Sequence, residues 1–146
     1  MKCVIQRVSQ ASVMVDQTTV GQIGPGLMVL FGVEKNDEET QLDYHVGKLL
    51  RLRIFPDENG KMNRSVQDIA GQILVVSQFT LAADCRKGNR PGFDNAKAPL
   101  EAERLYHLLV EKLRQTSGLK IETGVFGADM KVSLVNDGPV TLILEN

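Results

Sequence analysis

The sequence predicts an α+β domain: a twisted, largely antiparallel β-sheet that curls into a barrel-like core and is covered by two main helices. Three features predict it. Runs with strand propensity dominate, short turns join most neighbouring runs, and only two long stretches carry a helical apolar period.

Residues 3–15 open the chain as one long strand, with a bulge expected near Ser9-Gln10. By parity Arg7 shares a face with Cys3, Ile5, Ala11 and Val13, where a guanidinium needs either a partner or a route to water. A turn at Asp16-Gln17 leads to a short strand over 19–23. Gly24-Pro25-Gly26 then breaks the chain before 27–33, which is apolar almost throughout, as a central strand should be.

The period changes at Asn36. Asn36 with Glu39 resembles a capping box, and Leu42, Val46, Leu49 and Leu50 recur on one helical face, with Lys48, Arg51 and Arg53 near its end. A short strand over 53–56 follows, closed by the turn Asp57-Glu58-Asn59-Gly60. Ser65 is placed to cap a single helical turn through Ile69, and Gly71 releases the chain into the apolar run Ile73-Leu74-Val75-Val76. That strand delivers Ser77-Gln78-Phe79-Thr80-Leu81-Ala82 to its own end, bringing two hydroxyls and an amide that need partners or a substrate.

Residues 84–99 form a glycine- and proline-containing loop with Arg86, Lys87, Arg90 and Lys97 against Asp84 and Asp94. It reads either as a solvated loop or as a local phosphate contact beside Ser77. Pro99 opens the second helix, whose buried stripe is Ala102, Leu105, Leu109 and Leu113, and Gly118 lies beyond its end. Short strands follow over 121–123 and 130–135, with Phe126 in the loop between them. Asp137-Gly138 signals a hairpin turn before a last strand over 140–144, yet Pro139 removes a donor where pairing would resume.

The chain of 146 residues reads as one domain, 1–146, large enough to fold around its own core. Its net charge of −1 supplies no global field for nucleic acid, so any such contact must be local. Cys3 and Cys85 have no paired spacing, and no signal peptide or membrane-spanning run is present, which points to a reducing, cytoplasmic setting without membrane attachment. His45 and His107 lie in helical stretches with no Cys or His at ligand spacing, so neither a metal nor another cofactor is expected. No Gly-x-Ser-x-Gly elbow surrounds any serine.

Together, Ser77-Gln78-Phe79-Thr80-Leu81-Ala82 and Asn136-Asp137-Gly138-Pro139-Val140-Thr141 resemble the two signature motifs of the D-aminoacyl-tRNA deacylases. The likeness runs from Ile5-Gln6-Arg7-Val8 through Gly32-Val33-Glu34 and Gly60-Lys61-Met62-Asn63 to the C-terminus. It departs at Gly92, where the family often has serine. The resemblance implies a homodimer, with its active site at the subunit interface, that acts on the aminoacylated 3′ end of tRNA. It hydrolyses the D-aminoacyl ester and the achiral glycyl ester to free amino acid and tRNA. In the family a cis Gly-Pro unit enters the opposite subunit's site; carried over, Gly138 and Pro139 form it, Arg7 holds it, and it excludes L side chains.

The resemblance also assigns the oxyanion to the backbone N–H groups of Phe79 and Thr80, with Ser77, Gln78 and the Thr80 hydroxyl orienting the substrate. The 2′-hydroxyl of the terminal ribose assists the attacking water. Thr80 as a covalent nucleophile is the weaker option, since no base lies near it in sequence. Phe126 and Met130 are placed either in the adenosine pocket or in the core. The alternatives are a noncatalytic module that binds the tRNA acceptor end through 86–97, and a dimeric scaffold whose polar motifs only close turns.

Overall fold

The computed structural model describes all residues, 1–146. The order is β1 (Lys2–Val15), β2 (Thr18–Ile23), β3 (Gly26–Gly32), α1 (Leu42–Arg51), β4 (Phe55–Pro56), β5 (Met62–Arg64), β6 (Gln72–Ser77), α2 (Pro99–Ser117), β7 (Ile121–Thr123) and β8 (Lys131–Glu145). β1 pairs antiparallel with β2, β3 and β8, whereas β3–β6 and β6–β7 are parallel. The parallel pairs need long crossovers, and α1 and α2 lie within those two connections. The sheet curls until β2 meets β7. Gly21 is required at that approach, because a Cβ there would be driven into the Thr123 carbonyl.

Alternation along the central strands explains their unbroken apolar sequence. Leu27, Val29, Phe31, Ile73 and Val75 join the large core beneath the helices. Met28, Leu74 and Val76 turn the other way and meet Val8, Ala11, Val13 and Ile23 in a second core inside the curl. Both faces of β3 and β6 are therefore buried. In β1 the expected bulge is present, as register shifts against β8 on either side of Val8. It corrects the parity of that strand: Cys3 and Ile5 face the helices, but the extra residue turns Ala11 and Val13 onto the opposite face.

Other local readings also change. The capping box before α1 is Glu38 with Gln41, not Asn36 with Glu39; it opens a short 3₁₀ turn, Glu39–Gln41, and the Glu38 N–H donates to Gln41 Oε1 at 2.8 Å. Asn36 stands outside it, while the neighbouring Asp37 carboxylate accepts the Glu34 N–H and pairs with the Met1 amine at 2.6 Å. Residues 66–70 form the single turn expected, and Ser65 caps it: its Oγ accepts the Asp68 N–H at 3.2 Å, its own N–H donates to Asp68 Oδ2 at 2.7 Å, and the Ile69 N–H donates to the Ser65 carbonyl at 3.3 Å. α2 starts at Pro99 and ends at Gly118, whose φ is 65°, as expected. No helix is long and apolar enough to cross a membrane.

His45 on α1 is fully buried against Phe31 and Tyr44, and neither ring nitrogen has a protein partner. Burial, helped by the Met1 ammonium, lowers its pKa from 6.5 to about 4, against a smaller opposing pull from Asp37. Below pH 6.5 the unfolded chain takes up a proton that the folded chain refuses until about pH 4. Stability is therefore expected to fall with pH across that window, by up to roughly 3 kcal/mol. Urea midpoints at pH 7 and 4.5 should show it, with a smaller drop in His45→Leu; equal drops would place the titration elsewhere.

Candidate active site

β6 runs to Ser77 opposite Phe31, and the Gln78 N–H extends the ladder by one bond, to the Phe31 carbonyl at 2.8 Å. The chain then tightens into a 3₁₀ turn, Phe79–Ala82. Its hydrogen bonds begin with the Leu81 N–H donating to the Gln78 carbonyl and continue with Ala83 to Thr80. The N–H groups of Phe79 and Thr80 thus stand ahead of the first bond of the turn, where intrahelical acceptors are lacking. Gln78 Nε2 donates to Thr80 Oγ1 at 2.6 Å, so the amide and hydroxyl of the motif are held together.

Beside this turn opens a largely apolar cleft of about 560 Å³. Val76, Ser77, Gln78 and Phe79 form its floor and one rim. Phe93 and 96–99 line one side, and Phe126, Met130 and Val132 line another, with Lys97 and Asp129 as its charged residues. Phe126 also packs toward Tyr106, at 5.9 Å between ring centroids, so it belongs to both cleft and core margin. Neither histidine lines the cleft; His107 is exposed on α2 beside Glu103. No group of three or more His, Cys, Asp or Glu residues is arranged to hold a metal.

The second motif is not a hairpin. Residues 131–145 form one strand, β8, and both of its arms pair with β1: Leu134 lies opposite Ala11 and Leu142 opposite Ile5. The motif is an excursion between the arms, since Gln6 pairs with Thr141 and Val8 with Asn136. Asn136 closes its neck, donating to Thr141 Oγ1 and accepting from the Val140 N–H, each at 2.9 Å. The Gly138-Pro139 peptide is cis. Gly138 has φ +140°, and a Cβ there would come within 2.9 Å of Arg7 Nη2.

Arg7 sits beneath the excursion. Its Nε donates to the Asp137 carbonyl at 2.8 Å and its Nη1 to the Ile54 carbonyl at 2.6 Å, with the Asp137 carboxylate 3.6 Å away. The guanidinium that parity placed among apolar residues therefore has partners.

The chain brings Ser77, Gln78, Phe79, Phe126 and Met130 to one cleft and sets Thr80 beside it. Arg7, Gly138 and Pro139 form a separate group outside the walls of that cleft. Two further residues, Phe93 and Tyr106, went unassigned in the sequence, and Lys97 was assigned only as part of the basic loop. Phe93 packs on Phe79 at 5.1 Å, Lys97 enters the lining, and the buried Tyr106 hydroxyl donates to the Val75 carbonyl at 2.9 Å, tying α2 to β6 two residues before Ser77. Burial pushes the Tyr106 phenol up to about 12. An aromatic residue inside a charged loop was a usable signal for Phe93; Tyr106 had none beyond its place near the helical stripe.

A family model described as D-Tyr-tRNA(Tyr) deacylase matches residues 4–145. The chain is 59% identical over 145 residues to a D-aminoacyl-tRNA deacylase of Ruegeria sp. (strain TM1040), covering 99% of this chain and 92% of the relative. It is 56% identical over 146 residues to a D-aminoacyl-tRNA deacylase of Desulfitobacterium hafniense (strain DSM 10664 / DCB-2), covering 100% and 97%. A solved structure described as c-Myc DNA Unwinding Element Binding Protein superposes with a TM-score of 0.94 at 46% identity, over 100% of this chain and 99% of the other. One described as a probable eukaryotic D-amino acid tRNA deacylase shares the fold, with a TM-score of 0.83 at 20% identity over 98% and 97%.

Proposed function

The chain belongs to the D-Tyr-tRNA(Tyr) deacylase family, and from that premise we propose that it hydrolyses the ester between a D-amino acid and the terminal adenosine of tRNA. Glycyl esters mischarged on other tRNAs are accepted too, and the products are free amino acid and free tRNA. The reaction is a chiral proofreading step of translation in the cytoplasm. What supports this reading most directly is the pair of N–H groups, Phe79 and Thr80, at the start of a 3₁₀ turn beside an apolar cleft.

Water attack on the ester carbonyl develops an oxyanion, and preorganised donors aimed at it lower the barrier. Phe79 and Thr80 supply them from the backbone. Ser77, Gln78 and the Thr80 hydroxyl orient the substrate; the short Gln78–Thr80 bond fixes two of these groups relative to each other. Phe126 and Met130 flank the adenosine. No histidine stands at the cleft to serve as base, which is consistent with the 2′-hydroxyl of the terminal ribose assisting the water. The RNA then provides part of the chemistry.

Chirality is imposed by exclusion. The Gly138-Pro139 excursion of one protomer enters the cleft of its partner and fills the space an L side chain would need, while D side chains and glycine pass. Supporting this is the separation of the two motifs within one chain, where Gly138 and Pro139 lie outside the walls of their own cleft. Purified protein is expected to release D-amino acid from D-aminoacyl-tRNA about 10²-fold faster than it releases the L-enantiomer, with no acyl-threonine seen by mass spectrometry during turnover. Equal rates would defeat the chiral assignment, and binding without turnover would make the chain an acceptor-end binding module.

A further inference from the structure

One charged surface beside the cleft has no role in the reaction as described: the loop over 84–97. Its base is tied down. The Lys35 N–H donates to the Asn95 carbonyl at 2.8 Å, Asn95 Nδ2 to Glu34 Oε1 at 2.7 Å, and the Lys97 N–H to the Val33 carbonyl at 3.1 Å. Its tip is clasped too, since Asp84 and Gly92 exchange two backbone bonds of 2.8 and 2.9 Å. A long loop so closed has its backbone held at both ends.

Its cations divide into two groups. Arg86 is consumed by Asp84, on which it places Nε and Nη2 at 2.9 and 2.6 Å. Lys87 and Arg90 are exposed and have no carboxylate in salt-bridge range, although Asp84 and Asp94 line the same shallow surface pocket. On the opposite wall, Asp129 of the lining pairs with Lys131 at 2.9 Å. Free positive charge at this rim therefore lies on the loop side. Where the loop meets the site, Phe79 and Phe93 form a tilted aromatic pair, 58% and 40% exposed, so ring surface is open at the rim.

Exposed rings next to a cationic loop suit single-stranded nucleic acid, because any base can stack and the phosphates find counter-charges. We propose that Phe93 and the 84–97 loop bind the single-stranded 3′ end of the RNA upstream of the esterified adenosine, one base stacking on Phe93 and the backbone phosphates lying against Lys87 and Arg90. This rests on the cleft being the deacylase site. Substrate affinity then comes largely from nucleotides that do not react, and selection of the side chain is left to the cleft.

The test compares two substrates, D-tyrosyl-tRNA and the D-tyrosyl ester of adenosine. The double variant Lys87→Glu/Arg90→Glu is expected to raise KM for D-tyrosyl-tRNA about tenfold with little change in kcat. The dependence of log KM on log salt should become shallower by about 1.4, for two lost phosphates on a single strand. Preference for the tRNA over the adenosine ester then falls by about the same tenfold. Phe93→Ala should cost about fivefold to tenfold in KM for the tRNA, and Phe93→Trp should restore it. An unchanged KM for the tRNA, or equal losses on both substrates, would overturn the proposal. If the wild type cleaved neither ester, the deacylase reading would fail on its own. Fluorescence anisotropy with uncharged tRNA would then decide: weaker, less salt-sensitive binding by the double variant supports the loop contact, and equal binding overturns it.

Discussion

Phe79→Pro is expected to lower kcat for D-aminoacyl-tRNA by about 10²–10³, the usual cost of removing one oxyanion donor. Proline deletes the N–H together with the ring. Position 79 is the first residue of the 3₁₀ turn, where proline is tolerated because that N–H has no intrahelical acceptor. Gln78 before it, with φ −145° and ψ 82°, lies outside the helical region that a following proline disfavours. Phe79→Ala is the control, since it removes the same ring and keeps the donor; its loss should stay below about tenfold, on the scale of one lost base-stacking contact. Single-turnover hydrolysis with circular dichroism on each variant separates chemistry from folding. Equal losses in the two would mean that the ring matters and the N–H does not.

Arg7→Ala is expected to change selectivity before it changes rate. The guanidinium bridges the Asp137 and Ile54 carbonyls, so it ties the excursion of β8 to the segment that follows α1. Without it the Gly138-Pro139 tip loses its lateral support and excludes an L side chain less well. We expect L-ester hydrolysis to rise about tenfold or more relative to D, which corresponds to about 1.4 kcal/mol of lost discrimination. Stability should fall by about 1.5–3 kcal/mol, the usual range for a hydrogen bond from a charged group. Arg7→Lys keeps the charge but not the planar fork that reaches two carbonyls at once, so it should resemble Arg7→Ala in selectivity. If both variants kept wild-type discrimination, the excursion would be positioned by its own neck at Asn136 and Thr141.

The sequence showed most elements because the strands that matter are buried on both faces. The run of apolar residues over 27–33 and the run Ile73-Leu74-Val75-Val76 reflect that burial directly, as the two cores now show. Pairing direction was less legible. Antiparallel neighbours announce themselves through short turns, whereas the parallel pairs β3–β6 and β6–β7 depend on crossovers whose destination no local signal specifies.

Local rules also failed where two patterns competed. Asn36 with Glu39 looked like the stronger cap, but Asp37 is committed to the Met1 amine and the Glu34 N–H, and the box shifts to Glu38 and Gln41. Asp137-Gly138 looked like a hairpin turn because the sequence cannot show that both flanking segments pair with the same strand. At the cleft and the excursion, the residues named in advance were those of the two motifs together with Arg7, Phe126 and Met130. Phe93 and Tyr106 reach their partners across 14 and 31 positions of chain, which a reading of neighbours does not capture.

The two arms of β8 have one more consequence. Each is locked to β1 by its own register, Leu134 to Ala11 on one side and Leu142 to Ile5 on the other, so neither depends on the other for alignment. Exchanges at 137–139 slide neither strand, whereas Val140 beside them packs against the large core. The excursion that we propose judges handedness is thus carried on a frame whose two halves align without it.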